Sequence, residues 1–365
     1  FHMHSRSGMA TPYLSDEFMS LVMACIQKAE DENMLAWLYD EDRWPSGTAG
    51  GKVTKNPRYR QKYLYFTMER EQNTVSPQEG YQTGKPYLIG CYDILLNESG
   101  ELAAYRKIDE TAAAQGEKWY AYGKTLELSG WFNDQTYVDT MDKESTDQFL
   151  KITHERYKEY AGDKFGNSVP AIFTDEPRFA FKTTLPFADS KQSVTLPWTT
   201  DFAQTFQKAY GIDILEKLPE LIWNLPDGKI SQARYYFHDH TCERFASAFA
   251  DHYGAWCKKN NLLMTGHLLS EENLGSQTAA LGEAMRHYRG FGLPGIDLLC
   301  NNREFSTAKQ AQSAVHQYGR EGMLSELYGV TNWDFDFRGH KFQGDWQAAL
   351  GVTVRVPHLS WVSMK

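Results

Sequence analysis

The sequence predicts an α/β fold: a (β/α)8 TIM barrel lacking its first strand in this fragment, with an antiparallel β subdomain inserted into it. Three observations lead there. Short apolar runs recur along the chain and end abruptly in charged or histidine residues, as strands buried on both faces of a parallel sheet do. Segments with helical periodicity lie between them, and alternating β and α elements imply parallel pairing. Between residues 50 and about 135 the period shifts toward two, which implies an insertion of different architecture. A doubly wound open sheet is the alternative, disfavoured because no glycine-rich phosphate turn follows any of the strands.

The barrel is expected to start at 1–49, the inserted subdomain to occupy 50–135, and the rest of the barrel to run through 136–365 with an excursion at about 180–230. Residues 1–7 read as the tail of a strand, along which His2, His4 and Arg6 alternate. In a barrel strand these would face the interior; at a frayed terminus they would be surface groups. Ser15-Asp16-Glu17 opens a helix, with Ser15 as cap and two acids at the positive end of its dipole. Phe18, Leu21, Val22, Cys25, Ile26 and Ala29 then recur at helical spacing. The strand 34–39 ends in Asp40-Glu41-Asp42-Arg43-Trp44-Pro45-Ser46-Gly47. Three acids beside an arginine suit a rim that grips hydroxyls or a hard-cation site; a solvated loop is the plainer reading. The Trp-Pro-Ser-Gly turn favours the rim.

Within the insertion, Asn97-Glu98-Ser99-Gly100 marks a hairpin turn. Residues 137–141 return the chain to the barrel, and a helix follows over 145–161. The strand 169–177 ends Phe173-Thr174-Asp175-Glu176-Pro177, where Pro177 stops it and leaves two carboxylates at the tip. The excursion holds a short helix at about 201–210, and a long helix covers 231–259. His238 and His240 are two residues apart on that helix and so point different ways, which argues against a metal pair. Strands follow at 262–267, 295–300, 322–329 and 352–361, with a helix over 306–318.

Counted with one strand missing at the start, the tips carry His4, then Asp40-Glu41, Glu176, His267, Asp297 to Cys300, Glu326 and His358. Catalytic side chains of such barrels sit at these C-terminal tips. Glu176 and Glu326 end strands four and seven, opposite one another across the mouth, which is the equipment of glycoside hydrolysis. One carboxyl must be protonated and the other ionised; Glu176 is read as general acid and Glu326 as its ionised partner. Asp175 could raise the pKa of Glu176 as a neighbouring negative charge, although consecutive residues of a strand point to opposite faces. Alternatively one of the two glutamates only binds hydroxyls. The substrate-binding candidates are His4, Arg6, Asp40, Glu41, Trp44, Asp175, His267, Asp297, Tyr328, Trp333, His358 and Trp361. Aromatic residues make up 14% of the chain; most must be core, but Trp37, Trp44, Trp333, Trp346 and Trp361 fall at or just after predicted strand ends, where rings suit the C–H faces of sugars.

The net charge of −9 and the lack of a dense basic block argue against nucleic acid or an anionic membrane surface as partner. No apolar run approaches a membrane span. Five widely spaced cysteines without a Cys-x-x-Cys fit reduced thiols and a cytoplasmic setting, while a signal peptide could lie outside the fragment. Neither a Gly-x-Ser-x-Gly elbow nor a phosphate loop is present.

The opening Phe-His-Met-His-Ser-Arg-Ser-Gly with Thr11-Pro12-Tyr13-Leu14, the run Ala36 through Gly47, Phe173-Thr174-Asp175-Glu176-Pro177 and Val356-Pro357-His358-Leu359-Ser360-Trp361 resemble bacterial barrel glycosidases related to the α-L-rhamnosidases of glycoside hydrolase family 106. The resemblance covers most of the chain outside the two excursions. It implies a (β/α)8 catalytic domain with further β domains after residue 365, exo-action on plant or microbial glycans, a glycoside substrate and two essential glutamates. No cofactor is required by the residues; calcium assistance is implied by the resemblance alone, without assignable ligands. The same glutamates resemble those of the retaining clan that includes β-galactosidases, which usually carries Asn where this chain has Asp175. An inactive carbohydrate-binding barrel is the non-enzymatic rival; binding without turnover would favour it.

Overall fold

The computed structural model describes residues 1–6, 8–300 and 304–359. Seven parallel strands, short and apolar, form two arcs. The first is ordered β1 (His2–Met3), β2 (Trp37–Tyr39), β7 (Ala171–Asp175) and β9 (Leu263–His267). The second runs β10 (Gly295–Asp297), β11 (Leu324–Leu327) and β12 (Val354–Pro357). No closed barrel of hydrogen-bonded strands is formed among the described residues. The arcs adjoin, since the amides of Gly292 and Leu293 both donate to Met264 O of β9. They also share one interior: Tyr39, Phe173, Leu293 and Leu324 pack together with Trp37, Val354 and Val356.

Each strand-to-strand connection carries helix, as parallel pairing requires. The first is α1 (Asp16–Asp31), where Ser15 Oγ accepts from Phe18 N. Its buried face is Phe18, Met19, Val22, Ile26 and Ala29. Leu21 and Cys25, expected on that face, point to solvent instead. The segment 232–259 is one long rod in three parts: a helix Gln232–Phe245, a π-helical stretch Ala246–Asp251 and a helix His252–Lys259. Three helices carried no clear sequence signal: Leu274–Ala280, Ala284–His287 and Phe337–Ala349. The last contains two glycines that a pattern search penalises. At Gly344 a Cβ would stand 2.5 Å from the Tyr328 hydroxyl, so a larger residue there would displace that side chain.

The region of period two forms an antiparallel sheet of β3 (Lys62–Thr67), β4 (Tyr87–Leu96), β5 (Leu102–Ile108) and β6 (Glu117–Thr125). Asn97 closes the β4–β5 turn, accepting at its side chain from Ser99 N and Glu101 N. The sheet takes a fifth strand, β8 (Val194–Pro197), from the later excursion, paired to β3. That excursion is therefore not a separate irregular segment. Its Trp198, Phe202, Phe206 and Trp223 complete the core over Leu64, Phe66, Tyr92 and Trp119.

Among the described residues, no helix is long and apolar enough to cross a membrane. All five cysteines are free.

Candidate active site at the strand tips

Side chains alternate along a strand, so each strand sends every second residue into the interior. In β7, Phe173 faces inward, and Asp175 follows it one layer higher. The register pairs Asp175 with His267 across β7 and β9, and Asp297 with Glu326 across β10 and β11. Gly266 lets the first pair of strands close up: with φ at +112°, a Cβ there would meet Thr174 O at 1.8 Å.

His267 is the hub of the site. Its Nε2 lies 2.9 Å from Glu326 Oε2 and 3.5 Å from Asp175 Oδ1. Asp175, His267 and Glu326 each place an oxygen or nitrogen within 4.8 Å of the others, and so do Glu176, His267 and Asp297. His4 Nε2 is 4.0 Å from Asp175 Oδ2, and His358 Nε2 is 3.9 Å from Glu326 Oε1. Tyr39 Oη donates to Asp175 Oδ2 at 2.6 Å.

Alternation alone would send Asp175 and Glu176 to opposite faces. The structure corrects that expectation: Glu176 leaves the strand with φ at +50°, a left-handed turn rare for a side chain with a Cβ. The backbone break rotates Glu176 back toward the mouth, so both neighbours share His267. Its amide still donates to His267 O at 3.2 Å.

The electrostatics separate the carboxylates. Burial, then the adjacent Asp175, pushes Glu176 up to about 8. Burial also raises Asp175, to about 6, against the pull of His267, and it raises Asp297. Glu326 goes the other way. Burial opposes ionisation there, but the hydrogen bond and charge of His267, helped by His358 and His4, hold it at about 2. His267 is itself raised well above the usual imidazole range: burial opposes its charge, but the surrounding carboxylates, Asp297 foremost, outweigh it. The arrangement can therefore hold one proton on Glu176 while Glu326 stays ionised. Three buried polar atoms of these residues, His4 Nε2, His267 Nδ1 and Asp297 Oδ1, have no hydrogen-bond partner among the described residues.

The remaining sequence candidates fall elsewhere. Asp40 and Glu41 do not form an open rim: both are fully buried, with their oxygens engaged by the protein. Asp40 accepts from Ser46 Oγ at 2.5 Å and Tyr253 Oη at 3.0 Å. Glu41 is enclosed by the backbone of its own loop. Trp44 is half-exposed and packs on Trp131, with ring centroids 4.9 Å apart. Arg6 is close enough to act electrostatically on His4 and Tyr39. Tyr328 turns its ring toward Phe335 and His340 rather than into the cluster. Trp333 is 89% exposed on the loop after β11. Trp346 lies inside the helix Phe337–Ala349 against Phe305, not at a strand end. Trp361 lies outside the described residues. His238 and His240 engage different partners, Lys182 and Thr205.

Sequence reasoning passed over Tyr39, Ser46 and Glu271. Tyr39 read as one more apolar strand residue, although a hydroxyl at the very tip of a buried strand, beside the loop acids, was a signal. Glu271, buried, accepts from Asp297 N at 2.8 Å and Leu268 N at 3.1 Å, tying two strand tips together.

The two carboxylate–histidine triads are the groups able to hold a metal among the described residues. Both depend on the His267 nitrogen, whereas calcium takes oxygen ligands. Neither triad as it stands fits calcium; a nitrogen–oxygen set of this kind suits a transition ion.

No family model and no curated protein matches the chain. A solved structure does: the fold is similar to that of a rhamnosidase from Novosphingobium sp. PP1Y, with a TM-score of 0.62 over 98% of this chain at 14% sequence identity. The match takes in 51% of that chain, so the present chain spans about half its length. At this identity the likeness concerns the fold.

Proposed function

We propose that this chain carries the active site of a glycoside hydrolase that cleaves a terminal sugar, with Glu176 as general acid and Glu326 as the ionised carboxylate. The observation that carries the reading is the opposite displacement of the two pKa values, to about 8 and about 2, around one shared histidine. Two titratable groups driven apart by their surroundings divide the acid and base roles of such a reaction. Glu176 gives its proton to the glycosidic oxygen as the bond to the anomeric carbon breaks. Glu326 then either attacks that carbon or takes a proton from the attacking water. Burial, helped by the negative charge of Asp175, which Tyr39 keeps in place, holds the proton on Glu176. No step is routed through calcium.

An exo-α-L-rhamnosidase is the specific activity we favour, supported by the resemblance in sequence and by the fold of the structural neighbour. We read the two arcs as the wall of one barrel, supported by their shared interior. The test is an assay of the wild type, Glu176→Gln and Glu326→Gln on aryl glycosides that include α-L-rhamnoside and β-D-galactoside. Turnover of one sugar, lost in both variants, is expected. Turnover that survives both substitutions would place the active site elsewhere.

A further inference from the structure

We propose that Glu41, remote from the reacting atoms, is a positioning residue for this site: its caged carboxylate fixes the loop that seats Ser46 against Asp175. The inference rests on the glycosidase reading given above. Glu41 Oε1 accepts from Asp42 N at 2.9 Å and Gly50 N at 2.5 Å. Its Oε2 accepts from Gly47 N at 3.0 Å, Thr48 N at 2.7 Å, Ala49 N at 2.8 Å and Thr48 Oγ1 at 3.1 Å. Convergent backbone amides of this kind form a nest for an anion. Here the chain fills the nest with its own side chain. Ala49, Gly50 and Gly51 take left-handed φ values of +52°, +63° and +79°, so the loop is held by the carboxylate rather than by regular structure.

Ser46 joins the loop to Asp175. Ser46 N donates to Asp175 O at 2.8 Å, and Asp175 N donates to Ser46 Oγ at 2.8 Å. Ser46 Oγ in turn donates to Asp40 Oδ1 at 2.5 Å, and Tyr137 Oη donates to Ser46 O at 2.7 Å. Asp175 therefore rests on a seat whose far side is anchored by Glu41. Displacing a reacting group by about 1 Å can cost about a hundredfold in rate.

Glu41→Ala removes an acetate-sized group, so added acetate should refill the nest. We would measure kcat on the hydrolysed aryl glycoside, and amide hydrogen exchange at Asp175 and at residues 47–50. Wild type and variant would be compared in sodium acetate and in sodium chloride of equal ionic strength. The expected result is a kcat lowered about tenfold to a hundredfold with KM changed less, faster exchange at both places, and saturable recovery of both in acetate alone. Should Glu41→Ala fail to fold, Ser46→Ala leaves the cage intact; it should show the same loss at Asp175 without acetate rescue. Unchanged exchange at Asp175 in the folded variants, or exchange and rate that ignore acetate in Glu41→Ala, would overturn the proposal. Absence of turnover by wild type across the glycosides would sink the glycosidase reading alone, because the exchange measurement still decides whether Glu41 holds Asp175.

Discussion

Two groups of buried carboxylates sit within a few residues of the same strand tips, and they are built on opposite plans. Around His267, four acids (Asp175, Glu176, Asp297 and Glu326) crowd one imidazole, and several polar atoms there go unpaired. Beneath them, Asp40, Glu41 and Glu271 are satisfied by hydroxyls and backbone amides. Like charges sharing a partner cannot all be ionised, so their pKa values separate and chemistry becomes available. Burial raises the caged carboxylates too, Glu41 to about 7 and Glu271 to about 8, but their partners are hydroxyls and backbone amides rather than a shared imidazole, and they act as internal fasteners. Residue type is the same in both groups, although Glu176 and Asp297 are only partly buried; the source of the hydrogen-bond donors distinguishes them.

The contrast is most sharply tested by removing charge from the upper group. Glu326→Gln and Glu176→Gln should each lower kcat/KM by about a thousandfold, in the range of a lost acid or base. The Glu176 variant should lose less on activated aryl glycosides, whose leaving group needs no proton. Equal loss on both substrates would remove Glu176 from the acid role.

The next effect concerns pH. Activity requires Glu176 protonated, so kcat/KM should fall as pH rises through about 8. On the acid side it should persist until Glu326 takes a proton, near 2. His267→Gln removes a cation from beside Glu326. That leaves burial largely unopposed and raises the Glu326 pKa, so the acid limb should move up to or beyond the ordinary value of about 4.3. A pH–rate profile of both proteins checks this, and an unmoved acid limb would break the assignment of His267 as hub.

In the lower group the expected cost falls on stability. Tyr253→Phe strips one donor from the buried Asp40 and should cost about 1–3 kcal/mol in urea unfolding. The smallest stability effect is expected at Trp333, 89% exposed: Trp333→Ala should stay within about 0.5 kcal/mol of wild type. A raised KM in that variant would make it part of the sugar platform, and an unchanged KM would leave it a surface residue.

Much of this molecule can be read without coordinates. Apolar runs such as Ala171 to Thr174 must bury both faces, and the charges that end them mark the tips. The Asn97 turn follows from its own side chain reaching the next amides. Periodicity places α1 correctly but chooses Leu21 over Met19, because spacing does not say which way a helix is rotated on its neighbours. Nothing local announces that β8 will pair with β3, which lies far earlier in the chain with β7 between them. A hairpin announces itself by its turn, but a pairing between distant segments leaves no such mark.

By itself, then, the sequence determined the alternating order of elements and the set of acids and histidines delivered to the strand ends, since both depend on short-range pattern. The tertiary structure alone decided which of those acids does what. Glu176 joins Asp175 on one side only because its backbone turns left-handed after the strand. Glu41 is a fastener only because its loop folds back to bring five amides onto it. A carboxylate's role depends on its donors and its neighbouring charges, and those arrive from segments far apart in the chain.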